Sequence, residues 1–424
     1  MPVDHQRHHF RWVMLGALWT VYFSFGLAVL SMAPLVEVIR EDLGLSKGAM
    51  GTVLGAWPLV YLAAAIPSGA LIDRLGLRRS LGIATAIISA SVLLRPAADS
   101  FIELFGAVAL FGLGGPLVSV GAPKLVSVWF DEKERALAMG ITMTAPALGG
   151  VLPLVTANSV LMPAFNGSWR STLLVYAFIN VVVIALWLIT AAIAERVAPG
   201  AGRDVDTGRG FSGAWELLGH RAVQRMLVVA LGMFFFVHSL NGWLPTVIED
   251  RGFSSSAAGY PAGAVTALGI FGALFGTRSV PEHSRIAVLS MLFALFGVAA
   301  VLLNVDGRPA AFAGLAIIGL GKGLAVPVAL LVMMQLPGVA QRNMGAAGGL
   351  FFTAGEAGGV TGPILFGVVS DAGGSAAGLV LLAGVTFATA LLVLLLRKAM
   401  EDAPGANAPS VNEGEPAVRR PRLR

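Results

Sequence analysis

Apolar residues run along this chain in long stretches of twenty or more, parted by short polar loops where nearly all of the charges collect. A bilayer core about 30 Å thick is crossed by roughly 20 apolar residues of helix, so each stretch predicts a membrane span. Twelve spans are predicted, over residues 11–36, 49–72, 80–99, 103–129, 136–163, 169–194, 224–247, 256–277, 285–304, 309–335, 343–370 and 376–397. Backbone polar groups in hydrocarbon must be satisfied within the structure, and these stretches lack the ten-residue alternation of a membrane barrel; the predicted class is an all-α membrane protein. The first stretch is too long for a signal peptide and has no clear small-residue cleavage site, which predicts a retained span.

The pattern repeats. GLSKGAMG (Gly44 to Gly51) recurs as GFSSSAAG (Gly252 to Gly259), FGLGGPL (Phe111 to Leu117) as IGLGKGL (Ile318 to Leu324), and TAPALGGV (Thr144 to Val151) as TAGEAGGV (Thr353 to Val360), at offsets of 208, 207 and 209. The second half therefore repeats the first in the same orientation, a signature of transporter architecture. The predicted organisation is a six-helix bundle over 1–194, a linker over 195–222, a second six-helix bundle over 223–400 and a disordered tail over 401–424. The linker is predicted to carry a short interfacial helix around Phe211 to His220.

Composition agrees: 56% of the 424 residues are hydrophobic and 12% are charged, about half the charge of a soluble domain. With no cysteine and six histidines that lack zinc-site spacing, no metal site is predicted. The net charge of +5 does not mark a nucleic-acid binder, because the basic residues flank spans or lie in the tail. Of the 29 Lys and Arg residues, 21 fall on the side that carries both termini, which predicts cytoplasmic termini in a plasma or inner membrane. GLGG and GLGKG look like phosphate loops but lie inside apolar spans without the Walker spacing, so neither an ATP site nor any cofactor is expected. Nor does any nucleophile, base and orienter assemble from these spans, so an enzyme is not expected.

At the end of the second span stands GALIDRLGLRR, Gly69 to Arg79. It resembles the signature loop of the major facilitator superfamily, where a Gly, an acid and a basic cluster join spans two and three. That resemblance implies two six-helix bundles around a central cavity that opens alternately to each side. It also implies a conformational latch of Gly69, Asp73, Arg74, Gly76, Arg78 and Arg79, with Asp73 touching a neighbouring helix to help hold the outward-open state. The matching second-half loop, Gly272 to Arg285, keeps the first Gly and a basic residue but no matching Asp. The segments Pro123 to Ile141 and Asn241 to Ser254 are similar to those of the nitrate, cyanate and organic-anion branches. TAPALGG partly resembles the antiporter motif of drug exporters but has Ala145 where that motif expects Gly; Gly149 and Gly150 also suit plain close approach of helices.

An ionisable residue deep in a span costs roughly 2.5–3.5 kcal/mol to insert, so each asks for a partner, a wet cavity or a role. Lys322, near the middle of the tenth span on a cavity-lining helix by the resemblance, is the first candidate for binding an anion; the plain structural reading is an ion pair with Glu356. Glu356 replaces the Ala147 of the first half and is a candidate proton carrier. His238 joins it, because an unperturbed imidazole titrates near physiological pH. Lys124 is a further anion candidate, although, seven residues from Asp131 at the cytoplasmic end, its stem is long enough to snorkel to the interface. Tyr22 and Asn241 are candidates for shaping the cavity, while Arg95 and Arg170 read as interface anchors. The expected function is secondary transport of a small organic or inorganic anion by symport with protons, the chain acting as a monomer in the lipid bilayer. The competing readings are proton-coupled efflux of drugs or metabolites and a non-transporting sensor.

Overall fold

The computed structural model describes residues 2–200, 214–273, 280–339 and 343–401. Their helices are α1 (Pro2–Leu30), α2 (Val36–Asp42), α3 (Lys47–Leu75), α4 (Leu77–Leu94), α5 (Phe101–Trp129), α6 (Glu132–Thr156), α7 (Met162–Ala164), α8 (Trp169–Val197), α9 (Ala214–Leu218), α10 (Arg221–Asp250), α11 (Ser255–Phe271), α12 (Arg285–Asn304), α13 (Arg308–Met334) and α14 (Met344–Glu401). Helix α9 falls where the linker helix is predicted, within Phe211 to His220; the tail from 402 and residues 274–279 of the second-half loop lie outside the described residues.

Ten helices among the described residues are long and apolar enough to cross a membrane, against the twelve predicted. The difference has two sources. Helix α14 runs 58 residues through a break at Gly373 and Gly374, where the left-handed φ of +67° at Gly374 is open to glycine at little cost, so two predicted spans are joined in one element. Helix α11 ends its regular turns after 17 residues. Serines start several of these helices: the side chains of Ser46, Ser100 and Ser168 accept the amides of Ala49, Glu103 and Ser171. Gly76, at φ +79°, closes α3 and turns the chain directly into α4.

Large apolar side chains face outward along the helices, among them Phe178 and Ile102, each 68% exposed, as a lipid-facing surface requires. Inside, the halves are built from α1, α3, α4, α5, α6 and α8, and from α10, α11, α12, α13 and the two arms of α14. The repeat explains two of the close crossings. A Cβ on Gly149 would strike the Phe23 carbonyl of α1, and a Cβ on Gly358 would strike the Leu231 carbonyl of α10, so the glycines of TAPALGGV and TAGEAGGV perform the same packing task in each half.

The two halves meet along α3 with α14 and along α6 with α11. They close on one face. There the backbone N–H groups of Lys47 and Gly48, at the start of α3, donate to the two carboxylate oxygens of Asp371 at 2.7 and 2.8 Å. Gly51 packs on the Pro363 backbone and Gly259 on the Leu154 carbonyl at the same end. On the opposite face, which carries Gly69 to Arg79, a would-be Cβ on Gly69, Gly140, Gly345 or Gly348 has no neighbour within 4 Å among the described residues. The contacts between the halves made by Gly51, Gly259 and Asp371 thus lie at the end opposite the signature loop.

Candidate functional site

Between the halves lies a cavity of about 290 Å³. Its walls divide unequally. Among the described residues the first half contributes apolar groups alone, with Phe25, Val29, Leu30, Met143, Pro146 and Ala147; the second half contributes Asn241, Thr266 and Lys322 along with Gly269, Ile270, Ala273 and Gly323. The repeat shows how this asymmetry arose on a duplicated frame. Lys322 stands at the position of Gly115, which lies so close to Tyr61 and Phe25 that it leaves no room for a long side chain.

Lys322 reaches the cavity because α13 carries glycine on both sides of it. Gly321 lies against Phe296, and Gly323 crosses so close to Gly269 of α11 that a Cβ would strike its carbonyl. The ammonium donates to Asn241 Oδ1 at 2.5 Å. Among the described residues no carboxylate stands within ion-pair distance of it. The alternative of a fixed Lys322–Glu356 pair is therefore not what the fold forms.

Glu356 instead faces His238, with Oε2 to Nε2 at 3.8 Å, and both side chains are buried. His238 Nδ1 lies 3.0 Å from the Phe234 carbonyl. A carbonyl can only accept, so Nδ1 carries hydrogen and Nε2 is the nitrogen that faces Glu356. Glu356 Oε2 has no hydrogen-bond partner among the described residues. The pair also touches the first half: the Trp57 ring of α3 lies 5.1 Å from the imidazole. Gly359, one turn on from Glu356, leaves the space the two groups occupy.

Two other candidates sit elsewhere. Lys124 does not line the cavity; its ammonium faces Asp73 at 3.6 Å, joining α5 to the end of α3. Its stem therefore points to the signature loop. Tyr22 is buried and stacks on Phe25 at 6.0 Å, behind the cavity wall and not in it. Asn241 is in the lining as expected of a cavity-shaping residue.

Within the signature loop, Arg78 bridges to Glu195 of α8 at 2.7 Å, and Arg74 and Arg79 are exposed. A larger groove of about 1100 Å³ runs past Asp73, Arg74, Gly76, Arg78 and Arg79. It lies within the first bundle, between α4 and α8, and so is not on the path that alternating bundles would open. Arg95 departs from an interface anchor: it is buried, donating to the Ala28 carbonyl, Ser31 and Ser91. Arg170 does bridge exposed groups, Asp42 at 2.5 Å and Asp99 at 2.8 Å. Sequence reasoning passed over Phe25, Thr266, Trp57 and Asp371. Only Asp371 had a visible signal, a lone acid at a span end just before Gly373 and Gly374.

The comparisons with known proteins agree with this architecture. The family model described as Major Facilitator Superfamily matches residues 18–360. A hexuronate transporter of Bacillus subtilis is 26% identical over 390 residues, covering 87% of this chain and 91% of its own. A gallate transporter of Pseudomonas putida is 24% identical over 326 residues, covering 70% and 71% respectively. Among solved structures, a bacterial homologue of the human lysosomal transporter Spinster, inward-facing and unoccupied, superposes with a TM-score of 0.70 at 17% identity, covering 91% of this chain and 95% of its own. A match of this extent, on a helical fold with an internally repeated sequence, places the chain in the Major Facilitator Superfamily, a family of transporters and not of enzymes.

Proposed function

We propose that this protein is a secondary active carrier of a small organic anion, moved by alternating access in symport with protons. The observation that carries the reading is the ammonium of Lys322, held in a cavity between the two bundles without a carboxylate partner among the described residues. An unpaired ammonium there is costly, and an anionic substrate supplies the missing charge. At 3 Å and an effective dielectric of about 20, the attraction is roughly 5 kcal/mol before desolvation is subtracted. The relatives named as hexuronate and gallate transporters carry organic acids, which fits the same chemistry.

Proton coupling falls to His238 and Glu356. Their facing Nε2 and Oε2 atoms hold one exchangeable proton at the contact between the bundles, where Trp57 makes its state sensible to the other half. A proton carried with the anion also cancels its charge against an interior-negative potential, worth about 2.3 kcal/mol per charge per 100 mV. The signature loop is the latch of the alternate state, with Asp73 and Lys124 joining α3 to α5 and Arg78 tying α4 to α8. With both termini in the cytoplasm of a plasma or inner membrane, the signature-loop face is the inner one.

The test is uptake of labelled organic acids into proteoliposomes under an imposed pH gradient. Uptake accelerated by an acidic exterior and abolished by Lys322→Ala is expected. Uptake of every acid unchanged by Lys322→Ala would refute the anion assignment, and indifference to the gradient would refute symport.

A further inference from the structure

Resting on that reading, we infer that the cavity selects a small monocarboxylate with an apolar, unhydroxylated body, aromatic or branched, and discriminates against polyhydroxylated sugar acids. The relatives do not decide this, since their names include both a hexuronate and a gallate carrier. The lining does.

The donors at the cavity match one carboxylate. Lys322 has three N–H groups, one of which goes to Asn241 Oδ1, and the Asn241 amide nitrogen makes no hydrogen bond among the described residues. That leaves about four N–H donors on two adjoining side chains, against about four lone-pair sites on a carboxylate. Once these are engaged, little polar capacity remains. Thr266 already donates its hydroxyl hydrogen to the Ala262 carbonyl at 3.2 Å, so it can only accept. The facing wall offers Phe25, Val29, Leu30, Met143, Pro146 and Ala147, whose side chains carry no hydrogen-bonding group beyond the weakly accepting Met143 thioether.

A sugar acid would bring a row of hydroxyls against that wall. When the bundles close and water leaves, each unsatisfied hydroxyl carries a desolvation penalty that a hydrogen-bonding site would avoid. An apolar body has no such penalty and gains from burial. The wall also suits a flat ring: Phe25 is held by Tyr22 on one side and by Phe111, 4.9 Å away, on the other, while the Met143 thioether is a soft partner for a ring edge. The cavity's 290 Å³ sits near the small end of ligand sites, which begin at roughly 300 Å³, and so favours a compact molecule.

The experiment is a thermal-shift titration of the purified full-length protein with benzoate, cyclohexanecarboxylate, D-galactonate and D-galacturonate. It is run on the parent, on Lys322→Met and on Val29→Asn, which adds hydrogen-bonding groups to the apolar wall. Half-saturation by benzoate or cyclohexanecarboxylate at a concentration at least tenfold below that of either sugar acid is expected, with the ratio narrowed in Val29→Asn and all four responses lost in Lys322→Met. Sugar acids binding as tightly as benzoate, with Lys322→Met losing both, would overturn this inference and leave the anion reading in place. Responses equal in the parent and in Lys322→Met, or absent from both, would overturn the two together.

Discussion

Asp371 is where the closed face of this protein should yield to a single atom change. Its carboxylate accepts two backbone N–H groups from the first turn of α3, in the other bundle, at 2.7 and 2.8 Å. A negative charge at a helix N-terminus is favoured by the helix dipole, and a hydrogen bond to a charged acceptor contributes about 1.5–3 kcal/mol when shielded from water. The Lys47 bond is exposed and the Gly48 bond only partly buried, so about 1–3 kcal/mol is the reasonable loss for Asp371→Asn, a 5- to 150-fold shift away from the state closed on this face. The chain has no cysteine, so thiols introduced at exposed Glu41 in one half and Ser256 in the other are the only labelling sites. Spin-label distances between them should broaden toward longer values in Asp371→Asn. A distribution identical to that of the labelled parent would refute the role given to this contact.

Three further outcomes follow from the packing. Gly359→Ala places a methyl carbon 3.0 Å from both Glu356 Oε2 and His238 Nδ1, so proton-driven uptake should fall at least tenfold while substrate exchange at equal pH is largely kept. Gly323→Ala forces α13 away from the Gly269 carbonyl and should destabilise the protein by about 1–3 kcal/mol, read as a lowered melting temperature, whereas Gly69→Ala, with open space around it, should be near neutral in the same scan. Arg95→Met removes donors from the Ala28 carbonyl, Ser31 and Ser91 at once and should cost about 2–4 kcal/mol of stability with no change in substrate preference among surviving molecules.

The solvent wrote the helical class into the sequence, because a bilayer demands long apolar helices that show in hydropathy, while the duplication shows in motifs recurring about 208 residues apart. Glycine repeats such as TAPALGGV were legible for the same reason, since close crossings between helices require small residues at fixed places. The buried ionisable groups were equally visible; their partners were not. Lys322 lies 34 residues from Glu356 and 81 from Asn241, and which of these it meets depends on helix rotation that no spacing encodes. The reach of Lys124 toward the end of its span can be counted along one helix, but its partner Asp73 approaches from a different helix, which spacing does not encode. Thr266 and Phe25 carry no charge and look like any other residue of a span, so only the cavity picks them out.

The account depends on an anion meeting Lys322 between the two bundles. An experimental structure of the protein with a bound carboxylate, chosen as the strongest stabiliser in the titration, tests that meeting directly. The account predicts a carboxylate within hydrogen-bond distance of Lys322 Nζ and Asn241 Nδ2, with its body against Phe25 and Val29. A ligand seated away from Lys322, such as in the groove between α4 and α8, would contradict it.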